Sequence, residues 1–424
     1  MTNASQGEHR ADAPRNEKLR VLVVDDSAYN RQTLTAMIES DPGIAVVGRA
    51  IDGREALQAV FDLEPDVITL DLEMPKMDGF AFLRLLMARR PTPVIVISSH
   101  SGSSTVFRAL ELGAMDFMAK PGRQIGPELR EIEGELVRKI RLVRRLQAVR
   151  LQRRAQSLAR QRDARDTREL DTLIDPEDRE RESSLEPSPG RNARRAKEPE
   201  TPAPLGVVGI AASTGGPPAV QQILCALPGE LPLAVLVAQH MPARFTRAFA
   251  SRLNKMSSLA VVEAQDGMVL KPGLVYIAPG ASNIELEREG DGPGVVRVRA
   301  AEKGASAKIT PSGDMLLASG AKFYETRFCA VVLTGMGADG SEGAMLAREH
   351  GSAVLAEDPH TAVMPGMPQS AINAGVVDEV LPLDDIADAI LRFSSRCSKL
   401  ESGRRTGPNA PLNMGANGPE RGHT

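Results

Sequence analysis

The sequence of 424 residues contains no tryptophan, and aromatic residues make up only 3% of it. Proteins that bind single-stranded nucleic acid without sequence preference stack the bases on aromatic side chains, so this scarcity argues against that class. The three cysteines, Cys225, Cys329 and Cys397, lie far apart and form no CxxC pair. This spacing indicates neither a zinc knuckle nor a disulfide framework, and it fits a reducing compartment. Cys225 and Cys329 have apolar neighbours and are expected in the core.

A large excess of charge of one sign and long apolar runs are also missing. The 52 basic and 55 acidic residues leave a net charge of −3, which is not typical of a general nucleic-acid-binding protein. No apolar run approaches the roughly 20 residues that span a bilayer. The start of the chain, MTNASQGEHR, has no apolar signal-peptide core. We therefore expect a cytoplasmic protein with no nucleic-acid partner and no direct insertion into a membrane.

From Arg20 onwards, short aliphatic runs alternate with helical stretches. The runs LRVLVVDD, IAVVGRA, DVITLD, PVIVISS and AMDFMAK predict five strands of a parallel, doubly wound sheet. The pattern returns at Gly206 with GVVGIAA, LPLAVLVAQ, LVYIAP, AVVLTG and SAVLA, which predicts a second α/β domain. In each domain the carboxyl ends of the strands should meet along one edge of the sheet.

Between these domains lies a stretch that is too poor in apolar residues to bury a core. It begins with an Arg-rich helical pattern, which we interpret as a solvated extension of the first domain rather than an interaction surface. A long polar linker follows, dominated by Pro, Glu, Asp and Arg. The predicted segments are a disordered N-terminus (1–18), a first domain (19–140), an Arg-rich helix and disordered linker (141–204), a second domain (205–396) and a disordered tail (397–424).

Three carboxylates fall at predicted strand ends in the first domain, Asp25 and Asp26 after the first strand and Asp71 after the third. Converging carboxylates repel one another unless a hard cation such as Mg²⁺ lies among them. Ser98 ends the fourth strand and Lys120 the fifth, and a hydroxyl and an ammonium in these places suit a phosphoryl group. Although acids at strand ends are often helix caps, this combination predicts phosphoryl transfer to Asp71.

The second predicted sheet brings different side chains to its edge. Ser213 ends the first strand, His240 ends the second, and Asp339 follows the strand AVVLTG. These residue types can act as nucleophile, base and orienting carboxylate in acyl transfer. The backbone N–H groups of Thr214 and Gly215, at the start of a predicted helix, are candidates for an oxyanion hole. Taken singly, each side chain is more often structural, but their common edge favours catalysis.

Residues 335–340 read GMGADG, which matches the G-x-G-x-x-G pattern of dinucleotide-binding loops. Glu357 follows the next strand at the distance of a ribose-binding carboxylate. However, Asp339 would place a carboxylate against the pyrophosphate, and the pattern normally opens its domain. We therefore favour the hydrolase interpretation over the nucleotide-binding one.

The motifs VVDDSAYNR, DVITLDLEMPKMDG, VISS and AMDFMAKP resemble those of response-regulator receiver domains. The resemblance covers about residues 19–125 and implies a flavodoxin-like fold that is phosphorylated at Asp71. It implies that Ser98 and Lys120 contact the phosphoryl oxygens. Phe117 stands at the place of the family's aromatic switch residue.

The same resemblance implies a Mg²⁺ ion for phosphorylation. Asp26 and Asp71 would bind it by their side chains, Asp25 would assist, and Glu73 would contribute its backbone carbonyl. We expect no cofactor for ester hydrolysis.

The segments GIAASTGGP, AQHMP, YIAPG, LTGMGADG and MPGMPQSAINAGVVDEVLPL resemble the Rossmann-like catalytic domain of chemotaxis protein-glutamate methylesterases. A receiver followed by this domain is that family's architecture. The resemblance implies hydrolysis of glutamate methyl esters on methyl-accepting chemoreceptors, and in many members deamidation of receptor glutamines. Ser213, His240 and Asp339 match the family's triad. A chemotaxis histidine kinase would phosphorylate the receiver, which otherwise occludes the esterase crevice.

Three positions depart from the family's usual residues, with Asn283 for His, Gly313 for Val and Ala356 for Gln. None is expected to touch the triad, so they bear on substrate preference and partners. Two alternatives remain from other classes. A transcription regulator would need a helix-turn-helix in residues 205–395, where the sequence shows buried strands and Gly-rich turns. A non-catalytic scaffold would have a broken triad, whereas all three side chains are present.

Overall fold

The computed structural model describes residues 18–98, 103–120, 132–141, 203–287, 294–300 and 309–405. Most of the predicted N-terminal segment and linker, and the last part of the predicted tail, lie outside these described residues. No helix among the described residues is long and apolar enough to cross a membrane.

The first domain is built around a five-stranded parallel sheet, as the sequence predicted. Its strands are β1 (Leu19–Val24), β2 (Ile44–Ala50), β3 (Val67–Leu70), β4 (Val94–Ser98) and β5 (Asp116–Ala119), and their order in the sheet is β2-β1-β3-β4-β5. The helices are α1 (Ala28–Glu39), α2 (Gly53–Leu63), α3 (Gly79–Arg89), α4 (Ser103–Glu111) and α5 (132–141).

Three of these helices begin at side-chain caps. The side chains of Ser27, Asp52 and Asp78 accept hydrogen bonds from backbone N–H groups in the first turns of α1, α2 and α3. Such caps satisfy donors that have no partner within the helix, so they fix where each helix starts. Strands β3, β4 and β5 are buried along their whole length, because helices cover both faces of the sheet.

The second domain contains a seven-stranded parallel sheet and a separate antiparallel pair. The parallel strands are β6 (Gly206–Ala212), β7 (Leu233–Gln239), β8 (Ala260–Glu263), β9 (Leu274–Ile277), β12 (Phe328–Val332), β13 (Ala353–Glu357) and β14 (Glu379–Leu381). Their order is β14-β13-β12-β6-β7-β9-β8, and the pair consists of β10 (Ser282–Glu287) and β11 (Val295–Ala300). The helices are α6 (Gly216–Ala226), α7 (Ala243–Met256), α8 (Gly313–Tyr324), α9 (Ser341–Glu349), α10 (Gly366–Asn373) and α11 (Leu383–Arg405).

The strand order determines where a ligand can bind. The chain leaves β6 towards β7 on one side, while β12 lies on the other side of β6. The order of the strands therefore reverses at β6, and a binding crevice is expected beyond the carboxyl ends of β12, β6 and β7.

Two expectations about the second domain were wrong. Cys329 is buried as expected, but Cys225 is exposed, because it lies on the outer side of α6 while Ile223 and Leu224 face the core. Helix α11 also continues to Arg405, past the predicted start of the disordered tail at residue 397. Cys397 is fully buried, and its Sγ lies 2.8 Å from where a Cβ on Gly206 would be. This packing against β6 holds the chain in the helix beyond residue 396.

Candidate catalytic and phosphoacceptor sites

Ser213, His240 and Asp339 follow the carboxyl ends of three neighbouring strands, β6, β7 and β12. In the parallel register Ala212 lies opposite Gln239, which places Ser213 beside His240. The His240 N–H donates to the Ala212 carbonyl at 2.9 Å. The structure therefore puts the three residues at one edge of one sheet.

The imidazole of His240 is in direct contact with Asp339, since Nε2 lies 2.6 Å from Oδ2. Both side chains are about one-tenth exposed, at 11% and 10%. With Nε2 engaged by the carboxylate, Nδ1 is the ring nitrogen that remains for a proton from a nucleophile. Among the residues that the structure describes, the Ser213 hydroxyl makes no hydrogen bond. The histidine and the carboxylate are thus paired, and the serine lies next to them with its hydroxyl unengaged.

Asp339 lies at the amino-terminal end of α8. Its carboxylate accepts hydrogen bonds from the Ser312 hydroxyl at 3.0 Å, from the Gly313 N–H at 2.6 Å and from the Asp314 N–H at 3.0 Å. Burial favours the neutral acid, but the hydrogen bond and charge of His240 and these backbone donors outweigh burial and lower the pKa of Asp339 to about 2. The carboxylate is therefore ionised when it meets the imidazole.

The expectation that the departures from the family pattern stay away from the triad was wrong for Gly313. Its N–H touches Asp339, and a Cβ there would lie 2.6 Å from the Ala211 Cβ and 3.2 Å from Asp339 Oδ2. Asn283 is one step further out, because its Oδ1 accepts from the Ser312 N–H at 2.7 Å. Ala356 is a buried residue of β13. Two of the three departures therefore lie around the Asp339 carboxylate.

Asp314 ties α8 to α9 in a reciprocal arrangement. While the Asp314 N–H donates to Asp339, the Asp314 carboxylate accepts from the N–H groups of Gly340 and Gly343, each at 2.8 Å. Each carboxylate thus serves the start of the other segment's helix. Burial raises the pKa of Asp314 to about 6, and the charge of Asp339 adds to the increase. Sequence reasoning missed this role, because no motif links residues 314 and 340.

Thr334 holds the backbone of Ser213 and Thr214 by hydrogen bonds. Its carbonyl accepts from the Ser213 N–H at 3.0 Å, and its hydroxyl donates to the Thr214 carbonyl at 2.9 Å. Its own N–H donates to Glu357 at 2.8 Å, so the carboxylate that the nucleotide-binding interpretation would use for a ribose holds the backbone instead. Burial raises the pKa of Glu357 to about 7. The serine turn is therefore hydrogen-bonded to the segment that follows β12, and that segment is bonded in turn to β13.

The first domain gathers its acidic residues at the corresponding edge. One carboxylate oxygen each from Asp25, Asp26 and Asp71 lies within 4.8 Å of the others. Lys120 Nζ lies 2.5 Å from Asp71 Oδ2 and 3.2 Å from Asp25 Oδ2. Asn30, which the sequence reasoning did not single out, donates from Nδ2 to both oxygens of Asp25 at 3.2 Å.

This cluster fits a divalent cation. The cluster contains three carboxylates, and the ammonium of Lys120 pairs with those of Asp25 and Asp71, so negative charge remains in excess. Mg²⁺ prefers such oxygen ligands. Burial raises the pKa of Asp71 to about 6, with a smaller contribution from the charge of Asp25, although Lys120 opposes the shift. The Glu73 N–H donates to Asp71 Oδ1 at 3.3 Å. Ser98 is buried at the end of β4, and its carbonyl accepts from the Lys120 N–H at 2.8 Å.

Comparison with known proteins assigns each domain to a family. The response regulator receiver domain family matches residues 21–126, and the CheB methylesterase family matches residues 208–390. Protein-glutamate methylesterase/protein-glutamine glutaminase 3 of Geobacter sulfurreducens is 46% identical over 386 residues, covering 90% of this chain and 98% of that protein. The chain belongs to the protein-glutamate methylesterase/protein-glutamine glutaminase family. It is therefore a hydrolase that carries a receiver domain.

A second relative, protein-glutamate methylesterase/protein-glutamine glutaminase 6 of Anaeromyxobacter dehalogenans, is 46% identical to this chain over 383 residues. The match covers 90% of this chain and 97% of that protein. Among solved structures, the catalytic domain of the Thermotoga maritima CheB methylesterase is 39% identical with a TM-score of 0.42. The match covers 44% of this chain and 98% of the solved domain.

The lowered pKa of Asp339 predicts how its contribution to stability changes with pH. The stabilisation is complete above the ordinary pKa of 3.8 and is lost as the pH falls towards about 2. We expect the difference in unfolding free energy between the wild type and Asp339→Asn to shrink by roughly 2 kcal/mol over this range. Urea denaturation at a series of pH values measures it.

The exposed Asp388 on α11 supplies the matched control, Asp388→Asn. We expect the difference between this variant and the wild type to change much less with pH. If the difference in unfolding free energy between the wild type and Asp339→Asn stayed constant as the pH fell, Asp339 would not be held as an ionised carboxylate by the start of α8.

Proposed function

We propose that this enzyme is a cytoplasmic protein that hydrolyses glutamate methyl esters on methyl-accepting chemoreceptors, using Ser213, His240 and Asp339. The same chemistry would deamidate receptor glutamines. The observation that carries the proposal is the 2.6 Å contact between His240 Nε2 and an ionised Asp339, at the sheet edge where Ser213 lies. A methylesterase needs such a pair to make a serine hydroxyl nucleophilic.

In the first step the Ser213 oxygen attacks the carbonyl carbon of the ester, and its proton passes to His240 Nδ1. Asp339 stabilises the imidazolium through Nε2. The C–O bond to the methoxy group then breaks, and methanol leaves with the proton from the histidine. Water attacks the resulting glutamyl ester of Ser213 in the second step, which releases the glutamate carboxylate and restores the serine. With a glutamine substrate the leaving group is ammonia.

The developing negative charge on the carbonyl oxygen needs donors. Thr214 and Gly215 follow Ser213 directly, and α6 begins at Gly216. Their backbone N–H groups lie at the positive end of that helix, which supports an oxyanion hole at this turn.

The nucleophile is tested with Ser213→Ala. We expect methanol release from a methyl-esterified receptor fragment to fall by at least about a thousandfold, with the folded structure retained. Ser352→Ala, which removes a buried serine hydroxyl bonded to the Glu325 carbonyl, is the matched control and should keep the wild-type rate. Wild-type methanol release from Ser213→Ala would exclude Ser213 as the nucleophile.

We further propose that the receiver domain controls access to this site. Helices α6 and α7 begin just after Ser213 and His240, and the first domain packs against them. Phe107 stacks on Phe249 with ring centroids 5.2 Å apart. Phe117, at the aromatic switch position, meets Phe245 edge-on at 4.8 Å. These contacts support a closed state in which the receiver covers the crevice.

A hydrogen bond links the receiver to the residue next to the nucleophile. The Thr214 hydroxyl donates to Asp116 Oδ2 at 2.7 Å, and Lys139 Nζ lies 2.9 Å from the same oxygen. Lys139 also donates to the Phe117 carbonyl at 2.7 Å. A change around Phe117 can therefore reach the serine turn through Asp116, and this favours a two-state equilibrium that phosphorylation shifts.

In the proposed activation, a chemotaxis histidine kinase donates a phosphoryl group to Asp71. Asp25, Asp26, Asp71 and the Glu73 carbonyl would hold Mg²⁺, and the bound ion would supply positive charge to neutralise the phosphoryl oxygens. Lys120 and Ser98 would contact the phosphoryl oxygens. The modification adds about 1.5 to 2 negative charges at the sheet edge.

The phosphoacceptor is tested with Asp71→Asn. Adding Mg²⁺ and acetyl phosphate should raise the rate of methanol release by the wild type but leave that of Asp71→Asn at its basal value, since the acceptor carboxylate is gone. Asp62→Asn removes an exposed carboxylate of α2 in the same domain and should respond like the wild type. A full response from Asp71→Asn would place the phosphoacceptor elsewhere.

The closed state is tested at an ion pair between α4 and α7. Arg252 binds the Glu111 carboxylate. Arg252→Ala removes this ion pair and should raise the basal rate of methanol release, measured without a phosphodonor, by about two- to fivefold. An effect of this size is expected for a partly exposed ion pair. Arg247→Ala, on the same helix but paired with Glu263 inside the catalytic domain, is the control. An unchanged basal rate in Arg252→Ala would argue against receiver occlusion through this contact.

A further inference from the structure

Gln239 connects the backbones of two proposed catalytic residues. Its side chain, only 1% exposed, lies at the end of β7. The amide nitrogen Nε2 donates to the Ser213 carbonyl at 2.8 Å and to the His240 carbonyl at 3.1 Å. A single side-chain group therefore fixes the distance between the backbone of the serine and that of the histidine.

The other end of this amide has no partner. Among the buried side-chain atoms that the structure describes, Gln239 Oε1 is one of three without a hydrogen bond. A reversed amide would point Oε1 at two carbonyl oxygens, so the donors decide the orientation. A buried acceptor without a partner destabilises the fold, and an apolar side chain of similar size would avoid this. The two donated bonds explain why a glutamine is present.

Local packing makes room for this amide. A Cβ on Gly216 would lie only 2.0 Å from Gln239 Oε1, so the first residue of α6 must be a glycine while Gln239 holds this position. The Gly216 N–H donates to the same Ser213 carbonyl at 2.8 Å. The carbonyl of Ser213 is therefore held from two directions.

A fixed carbonyl fixes the next N–H as well. The peptide unit is planar and trans, so the Thr214 N–H points opposite to the Ser213 carbonyl and away from Gln239. Within the described part of the chain, the Thr214 N–H donates no hydrogen bond. The same relation holds for the Met241 N–H, which follows the His240 carbonyl. By holding the two carbonyls, the amide of Gln239 thus fixes the directions in which the Thr214 and Met241 N–H groups point.

We propose that Gln239 is a positioning residue for ester hydrolysis, which orients the Ser213–Thr214 peptide so that the Thr214 N–H can stabilise the oxyanion. This inference rests on the proposed role of Ser213. Gln239 does not touch the reacting atoms, and it acts by holding the two carbonyls.

The test removes the two donors without leaving a hole. Gln239→Met has nearly the same size, has no N–H group and eliminates the unpartnered oxygen. In the full-length protein with Mg²⁺ and acetyl phosphate, we expect kcat for methanol release from a methyl-esterified receptor fragment to fall by about ten- to a thousandfold. KM should stay within about twofold of the wild type, because the lost interaction is made in the transition state. The rate at which a fluorophosphonate labels Ser213 should fall in parallel.

Stability separates this role from a purely structural one. The melting temperature of Gln239→Met should not fall below that of Ser352→Ala, which loses a buried side-chain bond to a backbone carbonyl away from the site and keeps its kcat. In Gln239→Glu only the neutral acid can donate, so its kcat relative to the wild type should fall as the pH rises. The same ratio for Gln239→Met should stay flat.

The inference is overturned if Gln239→Met keeps kcat within about twofold of the wild type, or if its loss of activity only follows a loss of folded protein. Either result, together with an inactive Ser213→Ala, would leave the proposed function intact. An active Ser213→Ala would instead overturn the proposed function and this inference with it.

Discussion

The ionised state of Asp339 is the condition on which the proposed catalytic site depends. Burial works against it, and the start of α8 together with His240 outweighs burial. Because the carboxylate stays charged, it engages Nε2 of the histidine and leaves Nδ1 for the proton that the proposed mechanism takes from Ser213. A helix end therefore sets the direction in which the proposed proton transfer from Ser213 would run.

The two domains solve the same electrostatic problem in different ways. Both collect carboxylates at the carboxyl edge of a parallel sheet, where helix starts and turns converge. In the second domain backbone N–H groups and a histidine compensate Asp339. In the first domain Lys120 compensates only part of the charge of Asp25 and Asp71, and the remaining negative charge suits a cation. The first site is thus built to respond to an added ion, whereas the second is balanced by the chain itself.

Sequence reasoning predicted both parallel sheets, because buried parallel strands are continuous aliphatic runs that stand out from helical periods. It also predicted which side chains the sheet edges would gather, since this follows from strand direction alone. It missed the supporting residues Gln239, Asp314 and Thr334. Their roles depend on hydrogen bonds to backbone groups of other elements, and no spacing in the sequence reports these bonds.

Other differences have equally local causes. Strands β8 and β14 have only four and three residues, and both carry exposed positions, so they lack the aliphatic signal of the central strands. The β10–β11 pair mixes buried and partly exposed residues and lies outside the parallel sheet. Cys225 was misplaced because neighbours in sequence lie on different faces of a helix.

Thr214 belongs to two surfaces at once. Its backbone continues from the serine, and its hydroxyl is bound by Asp116 of the other domain. A replacement at this position would alter the proposed signalling contact and the geometry of the reactive turn together, so natural variation there cannot tune one without disturbing the other. A change on the Asp116 side would alter the same hydrogen bond, so we expect regulation and catalysis to diverge together at this pair of residues.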